Sequence, residues 1–230
     1  MYREWLKALR QAPLFRGIED EALNAMLDCM KPRVYQYKQR EIVAFHGQPF
    51  QGIGIIASGR VSLNKETVSG NRIILNMLDA GDIFGEMVAF SDTKAWPVTV
   101  ISQDDSCLLF LPPEKVLGNC ANICASHSTL IMNTLKILSN RALMLNQRIE
   151  HLSARSIRGK VSRYLVDLYT QAGSNTLTVP MKRHELADYL NIPRPSLSRE
   201  MSGLRDEGVI DFSGSEIIVK KLPVLESYLE

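Results

Sequence analysis

Long apolar runs are missing from this chain. No window approaches the roughly 20 consecutive apolar residues that a membrane-spanning helix needs, so no membrane partner is expected. Arg3, Glu4, Lys7 and Arg10 interrupt the apolar residues of segment 1–15, which argues against a secretory leader. Cysteine is scarce: the four thiols Cys29, Cys107, Cys120 and Cys124, without an export signal, read as reduced, and the compartment they imply is the cytoplasm. A strong charge of one sign is absent too. Twenty-seven basic against 25 acidic residues leave a formal charge of +2, too little to argue nucleic-acid binding by itself. Cations do bunch late in the chain, at Arg155, Arg158, Lys160, Arg163, Lys182, Arg183, Arg194 and Arg199. No serine, cysteine or carboxylate constellation of the kind catalysis needs stands out, so an enzyme is not expected. At 230 residues and 45% hydrophobic content the chain can form two modest domains, each with its own core.

Segment 182–220 carries the most information. Residues 182–190 place Leu186, Ala187 and Leu190 on one side at helical spacing, and Asn191, Ile192 and Pro193 break the pattern. From residue 195 to 207, Leu197, Met201 and Leu204 recur at i, i+4, i+7, while Pro195, Ser198, Arg199 and Ser202 form the opposite, polar stripe. An arginine held on a helix can donate two parallel hydrogen bonds to guanine, and serine can bond a base or a phosphate. Two short apolar runs, 209–210 and 217–219, flank Ser213, Gly214 and Ser215 and read as a wing hairpin. Helix, tight turn, helix and wing together predict a DNA-reading module. The residue before a proline is pushed away from α geometry, which makes Arg194 a cap residue reaching base or phosphate from outside the helix.

Upstream the texture differs. Residues 1–30 are helical in character, with Leu14, Phe15 and Ile18 around a Pro13 and Gly17 turn and Leu23, Met26 and Leu27 on one face; they are expected to cover one end of a sheet. Between residues 33 and 111, short β-rich runs at 34–37, 42–45, 54–56, 61–63, 73–78, 98–101 and 107–111 alternate with glycines, a pattern of a β-roll or jelly roll. A helix without internal Gly or Pro follows, from about residue 119 to about 152. Its Ile131, Leu135, Leu138, Ala142, Leu145, Ile149 and Leu152 are spaced alternately four and three apart, a heptad seam that wants a second helix and predicts a homodimer. Leu130, Ile137 and Met144 supply a different face for packing on the β domain. Segment 153–156 reads as a hinge, and residues 157–169 as a further helix. The fold class is α+β: an antiparallel β-roll or jelly-roll domain (1–118), a long dimerisation helix with hinge (119–153) and a winged helix-turn-helix domain (154–230).

The whole chain resembles the Crp/Fnr family of bacterial transcription regulators. Gly81-Asp82-Ile83-Phe84-Gly85-Glu86 is similar to the family's motif at the phosphate-binding cassette of a cyclic-nucleotide-binding-like sensor domain. The resemblance implies a signal-responsive homodimer that binds a palindromic operator in double-stranded DNA and works with RNA polymerase. It places a small-molecule effector near Gly85, Glu86, Met87, Lys94, Trp96, Pro97, Leu145 and Asn146. It places DNA contacts at Lys182, Arg183, Arg194, Pro195, Ser196, Ser198 and Arg199. Backbone N–H groups around Gly85 can face an anion, and the Glu86 carboxylate can hold a sugar hydroxyl.

The departures are informative. In cyclic-nucleotide-binding members an arginine and then a small hydroxyl residue neutralise the cyclic phosphate where this chain has Trp96 and Pro97. An indole has one donor and no charge, and proline has no donor, so cyclic AMP is not the expected effector. Lys94, two residues from Trp96, would share its face in an extended segment and could meet an anionic end. Either Trp96 stacks on a flat effector or it fills an unliganded pocket. Where family recognition helices carry a glutamate one turn before the serine and arginine, Pro195 stands here, so the family's usual half-site is not assumed. Oxygen-sensing relatives hold an iron-sulfur cluster with several early cysteines; only Cys29 is early here, and no cluster is expected. Cys120, Cys124 and His127 share a helix face at i, i+4, i+7, which suits core packing or, alternatively, a redox, metal or haem-sensing regulator. His46, His151 and His184 stand isolated in the sequence. A stand-alone ligand-binding regulatory subunit is the remaining alternative; it would not need Arg199 beside a wing.

Overall fold

The computed structural model of the chain describes residues 2–66, 72–118 and 125–229. It divides into two compact units, Met1–Arg141 and Ala142–Glu230. The first unit opens with the short helices α1 (Leu6–Gln11) and α2 (Asp20–Met30) and continues through strands β1 (Arg33–Tyr37), β2 (Ile42–Ala44), β3 (Ile53–Ser58), β4 (Arg60–Glu66), β5 (Arg72–Asp79), β6 (Ile83–Phe84), β7 (Thr99–Ser102) and β8 (Ser106–Leu111). Helix α3 (Glu86–Ala89) lies between β6 and β7, and α4 (Pro113–Leu117) follows β8. The strands form two four-stranded antiparallel sheets, ordered β1-β8-β3-β6 and β2-β7-β4-β5. Strand β6 and helices α3 and α4 were not separable by pattern, because they are only two to five residues long.

Strands β3 and β8 read as continuous apolar runs because both of their faces are covered. Their side chains alternate between two cores. Ile53, Ile55, Cys107, Leu109 and Leu111 join Leu9, Leu14, Phe15, Leu23 and Leu27 of the N-terminal helices. Ile56, Leu108 and Phe110 instead join Val61, Phe84, Trp96 and Val100 between the sheets. The N-terminal helices therefore cover a sheet face, not an end. Gly54 faces the second core, where a Cβ would come within 2.2 Å of the Phe84 ring, so only glycine admits that ring.

Helix α5 (Ala125–Ser153) starts, within the described residues, at Ala125; Cys120 and Cys124 lie outside the described residues. Leu130 is buried in the first unit's core and Ile137 packs partly against it. The Asn133 side chain donates to the Leu14 and Arg16 carbonyls at 3.1 and 2.8 Å, anchoring the helix to the N-terminal segment. Met144, expected on that packing face, is exposed, because it belongs to the second unit's portion of the helix. The seam residues Leu135, Leu145 and Ile149 are exposed as well.

In the second unit α5 is followed by α6 (Ile157–Ala172), β9 (Thr176–Thr178), α7 (Arg183–Tyr189), α8 (Arg194–Asp206), β10 (Ile210–Ser213), β11 (Glu216–Val219) and α9 (Leu222–Ser227). Ser156 caps α6, its hydroxyl accepting from the Gly159 N–H at 2.9 Å. Gly173 ends the helix in the left-handed region at φ 59°. The wing pairs β10 with β11 around a left-handed Gly214, as the sequence suggested, and β9 adds a third strand on the far side of β11. The core gathers Leu165, Leu177, Leu186, Leu190, Leu197, Met201, Leu204, Ile210 and Ile217.

Candidate nucleic-acid interface and sensor site

The sensor motif builds a turn and a plug. Gly81 and Gly85 sit at φ 94° and 82°, where other residues are strained, and the Asp82 carboxylate accepts from the Asp79 N–H at 2.9 Å. A Cβ on Gly85 would meet the Trp96 and Phe50 rings at 2.9 and 3.0 Å, so the space above this glycine, expected to admit an anion, is taken by aromatic rings. Trp96 is 2% exposed. Its ring centroid lies 4.7 Å from Phe50 and 5.8 Å from Phe84, and its backbone bonds Gln48 and Gly47 at 2.9 and 2.8 Å. Aromatic pairs of this kind add about 0.5–1.5 kcal/mol each beyond area burial.

Lys94 and Pro97 are exposed while Trp96 is buried, which corrects the expected shared face of Lys94 and Trp96. Residues 93–98 hold only an isolated bridge, Pro49 to Ala95, so strand alternation does not apply there. Met87 is exposed, and Leu145 and Asn146 are exposed on the second unit's part of α5.

Glu86 is 1% exposed, and its Oε1 meets Arg141 Nε of α5 at 2.8 Å. Arg141 also donates to the Ile83 carbonyl at 3.4 Å. Glu86 Oε2 and the Trp96 indole nitrogen have no hydrogen-bond partner among the described residues. Burial pushes the Glu86 carboxyl above its usual value, and the partly exposed Arg141 offsets this only in part. Arg141 is a site residue that the sequence reading missed. Nothing in the spacing between Glu86 and Arg141 announces that a helix in the same unit returns to the carboxylate.

The second unit holds the reading head. Leu197, Met201 and Leu204 of α8 are buried, while Arg194, Pro195, Ser198 and Arg199 are exposed and Ser196 is half-buried. Pro193 is the cap of α8 and Arg194 its first helical residue, which corrects the expectation of Arg194 as the cap. The restriction imposed by Pro195 is met because the first turn of a helix tolerates it. Asn191 supplies the left-handed residue of the inter-helix turn at φ 50°. The Arg199 guanidinium lies along its own helix, 3.4 Å from the Ser196 hydroxyl and 3.5 Å from the Pro195 carbonyl, contacts weak enough to be exchanged for a base edge. Lys182 is the exposed cap of α7, its N–H bonded to the Glu185 carboxylate at 2.6 Å. Arg183 is half-buried over the Phe212 ring.

Residues 34–122 match the family of the Cyclic nucleotide-binding domain, and residues 159–228 that of the Crp-like helix-turn-helix domain. The chain belongs to the Crp/Fnr family. The Cyclic AMP receptor protein of Thermus thermophilus is 25% identical over 218 residues, 95% of this chain and 97% of that protein. The probable transcriptional regulator flp of Lacticaseibacillus casei is 25% identical over 226 residues, 94% and 95% of the two chains. Among solved structures, the Thermus thermophilus Catabolite Activator Protein matches with a TM-score of 0.55 at 25% identity over 95% of this chain and 98% of that one. CooA of Carboxydothermus hydrogenoformans shares the fold at a TM-score of 0.59 and 18% identity, over 92% and 93%. Family members of this type are regulators, not enzymes.

Within this Crp/Fnr regulator, His151 is not isolated. It is buried at the end of α5, with Nε2 at 2.7 Å from Asp167 of α6 and Nδ1 at 3.0 Å from the Tyr189 hydroxyl of α7. A carboxylate only accepts, so Nε2 carries a hydrogen toward Asp167, while Nδ1 and the Tyr189 hydroxyl share the second hydrogen bond. Burial holds the Tyr189 phenol above its ordinary value, so it keeps its proton. Arg148 stands 5.2 Å over the Tyr189 ring. Arg158 similarly clamps α6 to α8: it bonds Glu200 at 3.0 Å and Glu207 at 2.9 Å and lies 5.1 Å over Tyr228. His127 Nε2 donates to the Val116 carbonyl at 3.1 Å. No group of three His, Cys, Asp or Glu able to hold a metal occurs among the described residues. Among the same residues, no helix is long and apolar enough to cross a membrane.

Proposed function

We propose that this Crp/Fnr regulator is a homodimer that reads a palindromic operator with α8, contacts RNA polymerase, and answers to a signal other than cyclic AMP. The exposed polar stripe of α8, opposite a fully buried apolar stripe and beside a three-stranded wing, supports the DNA reading. Arg199 and Ser198 read base edges, Arg194 and Ser196 fix the helix entry, Pro195 shapes the first turn, and Lys182 and Arg183 hold phosphates. The exposed heptad seam of α5 supports the homodimer.

The effector reading rests on Trp96. A buried indole stands where the resemblance calls for a phosphate-binding arginine, and Glu86, the expected sugar-binding carboxylate, is already engaged by Arg141. Signal arrival would shift the population of two arrangements of the recognition helices, through the α5 to α6 connection at residues 154–156. A fluorescence-anisotropy titration of the full chain against duplex DNA at two salt concentrations, with and without cyclic AMP, tests the reading. Expected is binding that weakens with salt and does not change with cyclic AMP. Binding indifferent to salt would overturn the DNA reading; tightening by micromolar cyclic AMP would overturn the effector reading.

A further inference from the structure

Phe212 of the wing strand β10 holds two guanidiniums. Arg183, the first residue of α7, and Arg205, in the last turn of α8, each place Cζ 4.8 Å from the centroid of this one ring. A ring face carries partial negative charge and attracts both cations. Stacking engages the flat face of a guanidinium and leaves its N–H edges free for bidentate contact. Two like charges gathered on one ring repel, and burial already disfavours the charged form of Arg183. Such an arrangement is stabilised by an anion between or beside the cations.

The nearby acids fill that role only in part. Asp211 feels the charge of Arg205 but is bonded to Lys220 at 2.7 Å, and Asp206 reaches Arg205 only at 4.0 Å with both groups exposed. Arg205 lies two helical turns beyond Ser198 on the same side of α8, so it continues the edge of the exposed stripe toward the wing. Beside Arg183, a cavity of about 370 Å³ opens between the wing turn and the start of α7, lined by Pro180, Lys182, Gly214 and Ser215 among others. It is wide enough for a phosphodiester group.

We propose that Arg205 is a further contact to the DNA backbone, and that Phe212 is the positioning residue that pins Arg205 and Arg183 for neighbouring phosphates. This rests on the DNA-binding reading above. Phosphate contacts set register and orientation on the duplex without reading sequence. The paired arginines thereby fix how the wing end of α8 sits in the groove.

The test is the slope of log affinity against log salt for the full chain on a labelled random-sequence duplex. Removing one cation that neutralises a phosphate lowers that slope by about 0.9. Arg205→Gln and Arg183→Gln are each expected to lower it by about that amount. Lys7→Gln, which removes an exposed cation from the first unit, is expected to leave it unchanged. Phe212→Leu keeps both charges, so its slope stays near wild type while affinity falls about five-fold, and Phe212→Tyr restores the affinity. An Arg205→Gln slope equal to wild type would overturn the assignment of Arg205 to a phosphate. An equal drop for Lys7→Gln would overturn it as well, since the slope would then follow net charge alone. Failure of Phe212→Leu to weaken binding would overturn the positioning role. Wild-type protein with no salt-dependent affinity at all would instead refute the DNA reading on which the proposal stands.

Discussion

On the proposed reading, Arg199 is the residue whose removal would separate specific from non-specific binding. Its guanidinium has only weak intrahelical contacts to give up, and it stands on the exposed stripe of α8. Arg199→Ala is expected to cost about 1–3 kcal/mol on the specific operator and to leave binding to random DNA nearly intact. Competition titrations measure both, and equal losses would reassign Arg199 to the phosphates. At Glu86 the two partners of one ion pair behave differently. Glu86→Gln replaces a buried carboxylate by a neutral isostere, whereas Arg141→Ala strands that carboxylate and is expected to destabilise the first unit by roughly 1–3 kcal/mol, toward the lower end because Arg141 is 35% exposed. The pH dependence follows from the raised carboxyl. The folded state holds this proton more tightly than the unfolded chain. The stability so contributed is fully present below the ordinary value of 4.5 and is lost as pH rises through the raised value. Denaturant unfolding of wild type and Glu86→Gln across that range should show wild type losing stability relative to the variant as pH rises; parallel curves would contradict the raised carboxyl.

At the scale of elements, the junction of α5 with the reading head is held by side chains as well as by the backbone at 154–156. The sequence suggests a hinge at 153–156; α5 ends at Ser153 and α6 begins at Ile157. His151 nevertheless joins the end of α5 to both α6 and α7. His151→Ala leaves the Tyr189 hydroxyl and the Asp167 carboxylate without this partner and is expected to cost the second unit about 1–3 kcal/mol. Chemical denaturation followed by far-ultraviolet circular dichroism measures it, and a change within a few tenths of a kcal/mol would show that the cluster carries no weight. The histidine looked isolated in the sequence because its partners stand 16 and 38 residues away on other helices. By contrast the buried stripes of α7 and α8 and the β10–β11 hairpin were legible, since their apolar spacing and turn glycine act locally. The short β6 and β9 escaped notice because two or three residues are too few to set a period.

At the scale of the whole molecule, the proposed homodimer would let the seam on α5 set the geometry of DNA binding. Leu135, Leu145 and Ile149 are exposed in the single chain, and a two-fold partner helix would cover them. Replacing Leu138 and Leu145 together by Asp would bury unpaired like charges across the axis, so the double variant is expected to be monomeric and to lose operator binding. Sedimentation measures the first and anisotropy the second; a variant that stays dimeric would remove the seam. The two-fold axis of the proposed homodimer would imply an operator of two inverted half-sites with centres about one helical turn, roughly 34 Å, apart.

The amino-acid sequence alone determined the class of the molecule: short glycine-punctuated strands, a heptad helix and a helix-turn-helix with wing are each written in local periodicity, and the residues of the sensor motif tie them to one family. It also set Trp96 and Pro97 where the family resemblance calls for a phosphate-binding pair. Which way Trp96 turns was decided only by the tertiary structure. Phe50 and Phe84 arrive from different strands and loops to enclose the indole, just as Arg141 arrives from α5 to meet Glu86, and Arg183 and Arg205 converge on Phe212. Period and spacing report which face a residue occupies on its own element. Pairings between elements depend on how the faces are brought together, and that is settled by packing of the cores, which no local pattern encodes.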